Sequence, residues 1–251
     1  MSRATVFDLP QHVHTGLEGN ARAARGAIVV AGLVCAIEAA FLFSRTAAIT
    51  DVVADAEKYR LATTGTLPIS VASFCVAAAS LAGLFTWLAW QYRAQANLWA
   101  SGLRVRYAPS WSVMWWFVPV ADLWMPAVTM ADLWRGSAHA AGDEGASTWR
   151  VWLWWWPFVI GFLVRIAGHG IRAAGMIAAE VPSASPGDPG ITADHVVGFV
   201  RIGTVTAGIG DVMLVAATPL ALLVLHGVTR RQAAITKVGK VLESAPPRPD
   251  R

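Results

Sequence analysis

The chain has 251 residues, of which 55% are hydrophobic and 14% charged, and its mean hydropathy is +0.49. A soluble domain carries about 25% charged residues, so this composition argues against an ordinary water-soluble globule and for lipid as part of the solvent. The net charge of +4 reads as orientation in a bilayer and not as nucleic-acid binding, because no basic run with interleaved aromatics suits a single strand.

Residues 1–25 read as a polar cytoplasmic tail, without the apolar run and A-x-A site of a cleavable signal. The first apolar run, GAIVVAGLVCAIEAAFLFS (residues 26–44), is just long enough to cross. Residues 45–67 are polar, with Ile49, Val52, Val53, Ala56 and Tyr59 at helical spacing; they predict a short amphipathic helix with Asp51, Asp55 and Glu57 on its wet side. Pro68 opens a second span over 68–90, where its missing N–H has no helical partner to lose. The stretch 91–110 is basic and contains no acid. Further spans are predicted over 151–175 and 200–227, separated by the turn-rich SASPGDPG at 183–190. The basic, Pro-rich segment 229–251 reads as a cytoplasmic tail with a disordered end. Cys35 and Cys75 both lie in apolar runs and predict no disulfide.

Residues 111–134 pose the topological question. They are apolar and rich in tryptophan, but Pro119 and Pro126 interrupt helical hydrogen bonding, and Asp122 and Asp132 resist the hydrocarbon centre. A full crossing would divide Lys and Arg 11 inside to 9 outside; a segment that re-enters or lies flat divides them 14 to 6. The second arrangement fits the rule that basic residues stay in the cytoplasm. All 13 tryptophans fall between Trp87 and Trp156, which this arrangement gathers at one interface. The expected fold class is therefore all-α: an integral membrane helical bundle of four transmembrane helices plus a Pro-broken interfacial or re-entrant hairpin at 111–134. Both termini are expected in the cytoplasm of a bacterial cell. The tetrapeptide ADLW occurs at 121–124 and again at 131–134, but ten residues leave the copies about 80° apart on a helix, so it reads as chance.

PSWSVMWWFVPVADLWMPAVTMADLWRGS resembles the signature of the "domain of unknown function 4328" family of actinobacterial membrane proteins. Pro109, Trp111, Trp115, Trp116, Phe117, Pro119, Leu123, Pro126, Asp132 and Trp134 sit on the family positions, while Ser110 and Asp122 replace the usual Gly and Asn. With the paired spans on either side, the resemblance covers roughly residues 25–230. It implies a polytopic membrane protein and brings no catalytic residues.

Chemistry is sparse. There is no H-E-x-x-H, G-x-S-x-G or phosphate-binding Gly loop. His12 and His14 lack further ligands for a metal. Asp143-Glu144 reads as a solvated turn. No cofactor, metal or catalytic residue is predicted. The stronger signal is intramembrane charge. Glu38, Arg165 and Asp211 lie about 18, 21 and 24 Å from the cytoplasmic ends of their spans at about 1.5 Å per residue. One arginine could pair with both carboxylates, or the groups could snorkel separately to the surface. Arg165, His169 and Arg172 share a helical face, beside a small-residue stripe of Gly170, Ala174 and Ala178 suited to helix contact in an oligomer. Gly203, Gly208 and Gly210 suit close packing in the last span. The function expected is that of a membrane scaffold, sensor or accessory subunit, with anionic lipid at the cytoplasmic side. The alternative is a small transporter or channel using the Glu38, Arg165 and Asp211 cluster.

Overall fold

A computed structural model of the chain describes residues 17–51, 55–63, 67–101, 105–143, 145–180 and 192–244. Among the described residues seven α-helices follow one another: α1 (Leu17–Asp51), α2 (Asp55–Thr63), α3 (Leu67–Ala100), α4 (Pro109–Met114), α5 (Met125–Ala140), α6 (Trp149–Glu180) and α7 (Ala193–Ser244). Two short 3₁₀ turns, Trp115–Phe117 and Ala121–Leu123, separate α4 from α5.

Among the described residues, four helices are long and apolar enough to cross a membrane: Leu17–Ile49, Ser70–Ala100, Trp149–Ala179 and Ala193–Ala233. Their apolar side chains stand open. Phe74 is 73% exposed and Phe85 64%. Water penalises contiguous apolar faces of this kind, whereas hydrocarbon does not. The chain is a helical membrane protein. Pro157 and Pro219 lie inside α6 and α7, as lipid-embedded helices tolerate where neighbours cover the freed carbonyls.

The helices outrun their apolar cores. α1 starts at Leu17, inside the segment expected to be a tail, and α3 continues through Gln91–Ala100, read from sequence only as a basic stretch. α7 continues through the basic segment to Ser244. Helix propagation depends on backbone continuity, and no proline interrupts these polar extensions. Residues 1–16, with His12 and His14, the 183–190 loop and residues 245–251 lie outside the described residues. The amphipathic helix is α2, shorter than expected. Ile49 belongs to α1, and Val52 and Val53 lie outside the described residues.

The chain divides into two compact units, each drawing on the long helices. The first comprises residues up to Ala27, Gly83–Trp154 and Leu220 onward, and contains the 111–134 segment. That segment is broken: α4 has 6 residues and α5 has 16, or about 9 and 24 Å of helix against a hydrocarbon core of about 30 Å. Pro126 occupies the first turn of α5, and Val120, between the 3₁₀ turns, has a positive φ of 68°. The core of this unit is aromatic. Trp87 packs on Trp90 and Trp154 with ring centroids 5.0 and 4.8 Å apart.

The second unit comprises Ile28–Ala82 and Trp155–Pro219. Ile49, Ala62, Val196 and Val200 form one buried cluster, with Tyr59 and Met176 packed against it. Arg45 donates to the Leu61 carbonyl and so ties α2 to α1. α6 and α7 meet along glycines at seven-residue spacing, Gly161, Gly168 and Gly175 on one and Gly203 and Gly210 on the other. A Cβ on Gly168 would strike the Ala207 backbone, and one on Gly203 the Arg172 backbone. The Gly170, Ala174 and Ala178 stripe is not part of this seam: a Cβ on Gly170 would meet open space. Gly203 and Gly210 do pack closely, and Gly208 sits over the ring of Phe43.

Candidate functional site

Glu38 on α1, Arg165 on α6 and Asp211 on α7 meet in the second unit. Glu38 and Asp211 are fully buried, and the Arg165 side chain is 13% exposed. The Arg165 Nη2 donates to Glu38 Oε2 at 2.7 Å, and its Nε donates to Asp211 Oδ1 at 2.8 Å. The glycine seam sets this geometry. Gly210 lets the Arg165 backbone come so close that an added Cβ would lie 2.5 Å from the Arg165 nitrogen, and the adjacent Asp211 then faces the guanidinium. Ser73 on α3 donates to Glu38 Oε1. His169 Nε2 stands 3.5 Å from the same oxygen. Arg172 lies on the helical face shared by Arg165 and His169. The three residues singled out from sequence are brought together around one cation instead of snorkelling apart. Two carboxylates share one guanidinium, an arrangement that stabilises only while every member keeps its partner.

The 111–134 segment makes a different kind of site in the first unit. Trp111 is 52% exposed and Phe117 56%; Met114, Val120, Leu123 and Trp124 are also open, as is Pro119. Trp115, Trp116, Asp122 and Asp132 are half-buried, while Pro126 and Trp134 are buried. Trp134 lies between Gly227 and Arg231 of α7. The Arg231 guanidinium sits 4.2 Å from a ring centroid of Trp134, and a Cβ on Gly227 would collide with its ring. Trp87, Trp90, Trp134 and Trp154 are buried against protein, while Trp99, Trp111, Trp124, Trp149 and Trp156 keep exposed faces. Arg231 also donates to Asp143 at 2.9 Å, so that turn residue is paired rather than merely solvated. Asp132 lies 3.9 Å from Arg135. Burial pushes the Asp132 carboxyl above the usual aspartate range, against the pull of Arg106 and Arg135.

A buried amide network fastens this segment to α3, and sequence reasoning missed it. Gln91 is fully buried. Its Oε1 accepts from Trp87 Nε1 and Trp116 Nε1, each at 3.1 Å. Its Nε2 donates to the Ser112 carbonyl at 2.9 Å and to Thr129 Oγ1 at 3.3 Å. One turn on, Gln95 donates to the Tyr107 carbonyl at 2.9 Å. Gln232 of α7 accepts from Asn97 and donates to the Ala94 carbonyl and Ser137 Oγ. The available signal was the Gln91–Gln95 spacing of one helical turn at the end of an apolar run.

Among the described residues no group of His, Cys, Asp and Glu is arranged to hold a metal ion. Cys35 and Cys75 are free thiols. No curated protein and no solved structure matches the chain. The family model described as Domain of unknown function (DUF4328) matches residues 45–230, which takes in the motif from Pro109 to Trp134, Arg165 and Asp211, and begins after Glu38. The chain belongs to the DUF4328 family.

Proposed function

We propose that the protein is a non-enzymatic scaffold, or an accessory subunit of a membrane assembly, in the plasma membrane of a bacterial cell, with both termini cytoplasmic. The 111–134 segment is its working surface and takes a protein partner at the cytoplasmic interface. What supports this reading is one combination: the amide of Gln91 holds Ser112, Trp116 and Thr129 in place, while Trp111, Phe117 and Trp124 stay exposed on that fixed base. A rigid base presenting aromatic anchors is the arrangement that protein interfaces favour. A photo-crosslinking residue at Phe117, and separately at Phe74 on the lipid-facing part of α3, tests it in intact cells. A discrete protein adduct from position 117, absent from position 74 and lost when Trp111 and Trp124 become alanine, is the expected result. The same adducts from both positions, or lipid adducts alone, would refute it.

A second reading, transport of a small ion or of protons, draws on the convergence of Glu38, Arg165, Asp211 and His169 inside one unit. Purified protein in proteoliposomes should then carry a current or proton leak that Arg165→Gln abolishes. No conductance above empty vesicles would remove this reading.

A further inference from the structure

We propose that a groove between α3, the start of α1 and α4 binds an anionic phospholipid, its phosphate on Arg93. The groove encloses about 600 Å³. Its apolar wall is formed by Phe85, Leu88 and Phe117, and its polar end by Arg93, Asn20 and Tyr92. This order follows the membrane. From Phe85 to Asn97, which also lines the groove, α3 rises about 18 Å, against about 15 Å for one leaflet's share of a bilayer core of about 30 Å. The apolar residues come first along α3, towards the middle of its span, and the polar ones last. An amphiphile lying along α3 meets like with like at both ends.

The charge selects the headgroup. Arg93 is exposed and has no ion pair among the described residues. The stretch 91–110 around it contains arginines and no acid. Asn97, at the floor, spends its amide N–H on Gln232 at 3.2 Å, which fixes the polar end of the groove to α7. Phe85 and Phe117 are more than half exposed, a state unfavourable in water and satisfied by acyl chains. An unpaired guanidinium at the polar end of an apolar groove favours a phosphodiester with net negative charge over a zwitterion. The groove shares Phe117 with the surface proposed for a protein partner, while most of its lining lies on α3.

Native mass spectrometry of the full chain in neutral detergent tests the proposal, with dioleoylphosphatidylglycerol and dioleoylphosphatidylcholine added in equal amounts. One basic residue near an anionic surface contributes about 1 kcal/mol, so phosphatidylglycerol should be retained about fivefold over phosphatidylcholine. Arg93→Gln should erase that preference. Ala89→Trp, which fills the groove from an exposed position, should reduce retention of both lipids. Arg150→Gln, on an exposed site outside the groove, should leave the preference intact. Preference that survives Arg93→Gln, or falls equally with Arg150→Gln, overturns the proposal. Displacement of bound phosphatidylglycerol by inorganic phosphate would also overturn it, since the groove would then be a site for free anions. Failure of this test with Phe117 crosslinks intact would leave the scaffold reading standing.

Discussion

Arg165→Ala is the most informative perturbation of the buried triad, because the two carboxylates it serves are not equivalent. Glu38 has the Ser73 hydroxyl as a second partner on its other oxygen. Asp211 is held by Arg165 through Oδ1. Removing the arginine leaves two fully buried carboxylates facing each other without their cation. Breaking a buried pair from one side costs about 3–5 kcal/mol. The 13% exposure of Arg165 places the loss toward the lower end of that range. For a chain of this size that corresponds to a fall in Tm of about 6–12 °C. Asp211→Asn behaves differently. It leaves Arg165 paired one-to-one with Glu38, so the charge within the triad balances, and the loss should be about 1 kcal/mol, that of an ordinary hydrogen bond. The double substitution should lose less than the sum of the two, because the aspartate no longer needs a cation. Tryptophan-fluorescence melting in detergent reads all three, with expression and monodispersity as controls. If Asp211→Asn costs as much as Arg165→Ala, or if the losses simply add, the guanidinium is not the shared counter-ion and the account of the triad fails.

Gly168→Ala should lower Tm by several degrees because its methyl would strike the Ala207 backbone, while Gly170→Ala on the same helix should be neutral; thermal melts of the pair decide between seam and spacer. Gln91→Leu should loosen the 111–134 segment, because the Trp116 and Trp87 N–H groups lose the Gln91 acceptor at about 1–3 kcal/mol each, and hydrogen exchange over residues 112–129 should rise well above that of α6. Asp132 has a raised carboxyl in the folded state, so the fold binds more protons than the unfolded chain above the usual aspartate value of 3.8. Stability from this group is therefore full at lower pH and is lost as pH rises through the raised value; Asp132→Asn should flatten that part of a Tm-against-pH curve. For topology, cysteines at positions 100 and 140, with Cys35 and Cys75 replaced, should both label only after lysis; external labelling at 140 alone would mean that the segment crosses.

What could be read in advance divides along physical lines. Glu38, Arg165 and Asp211 were visible because each ionisable group sits within an apolar run, and the fixed rise of a helix converts position into depth. The break in the 111–134 segment was visible because proline at 119 and 126 removes backbone donors whatever surrounds it. Helix ends were not visible at Gln91–Ala100 or beyond Val228, since a polarity pattern marks where lipid stops and not where the helix stops. The Gln91 and Gln232 network was hidden for a related reason: a buried amide and a solvated amide look alike until the partners are known, and apart from Trp87 those partners lie 21 to 138 positions away. Tryptophan left the packing open because indole suits both an interface and a packed core, and only contact distinguishes Trp90 from Trp99.

The glycine seam between α6 and α7 has a mechanical corollary. Helices that interlock through large side chains resist being drawn past each other, because each ridge must climb over the next. Backbones that touch at glycines seven residues apart form a notched rail instead, because only at those positions does the missing Cβ permit the approach. Arg165 lies opposite Gly210 and grips the neighbouring Asp211, so the ionic contact serves as the detent that stops the slide at one notch. Neutralising Asp211 would release that detent while leaving the rail in place.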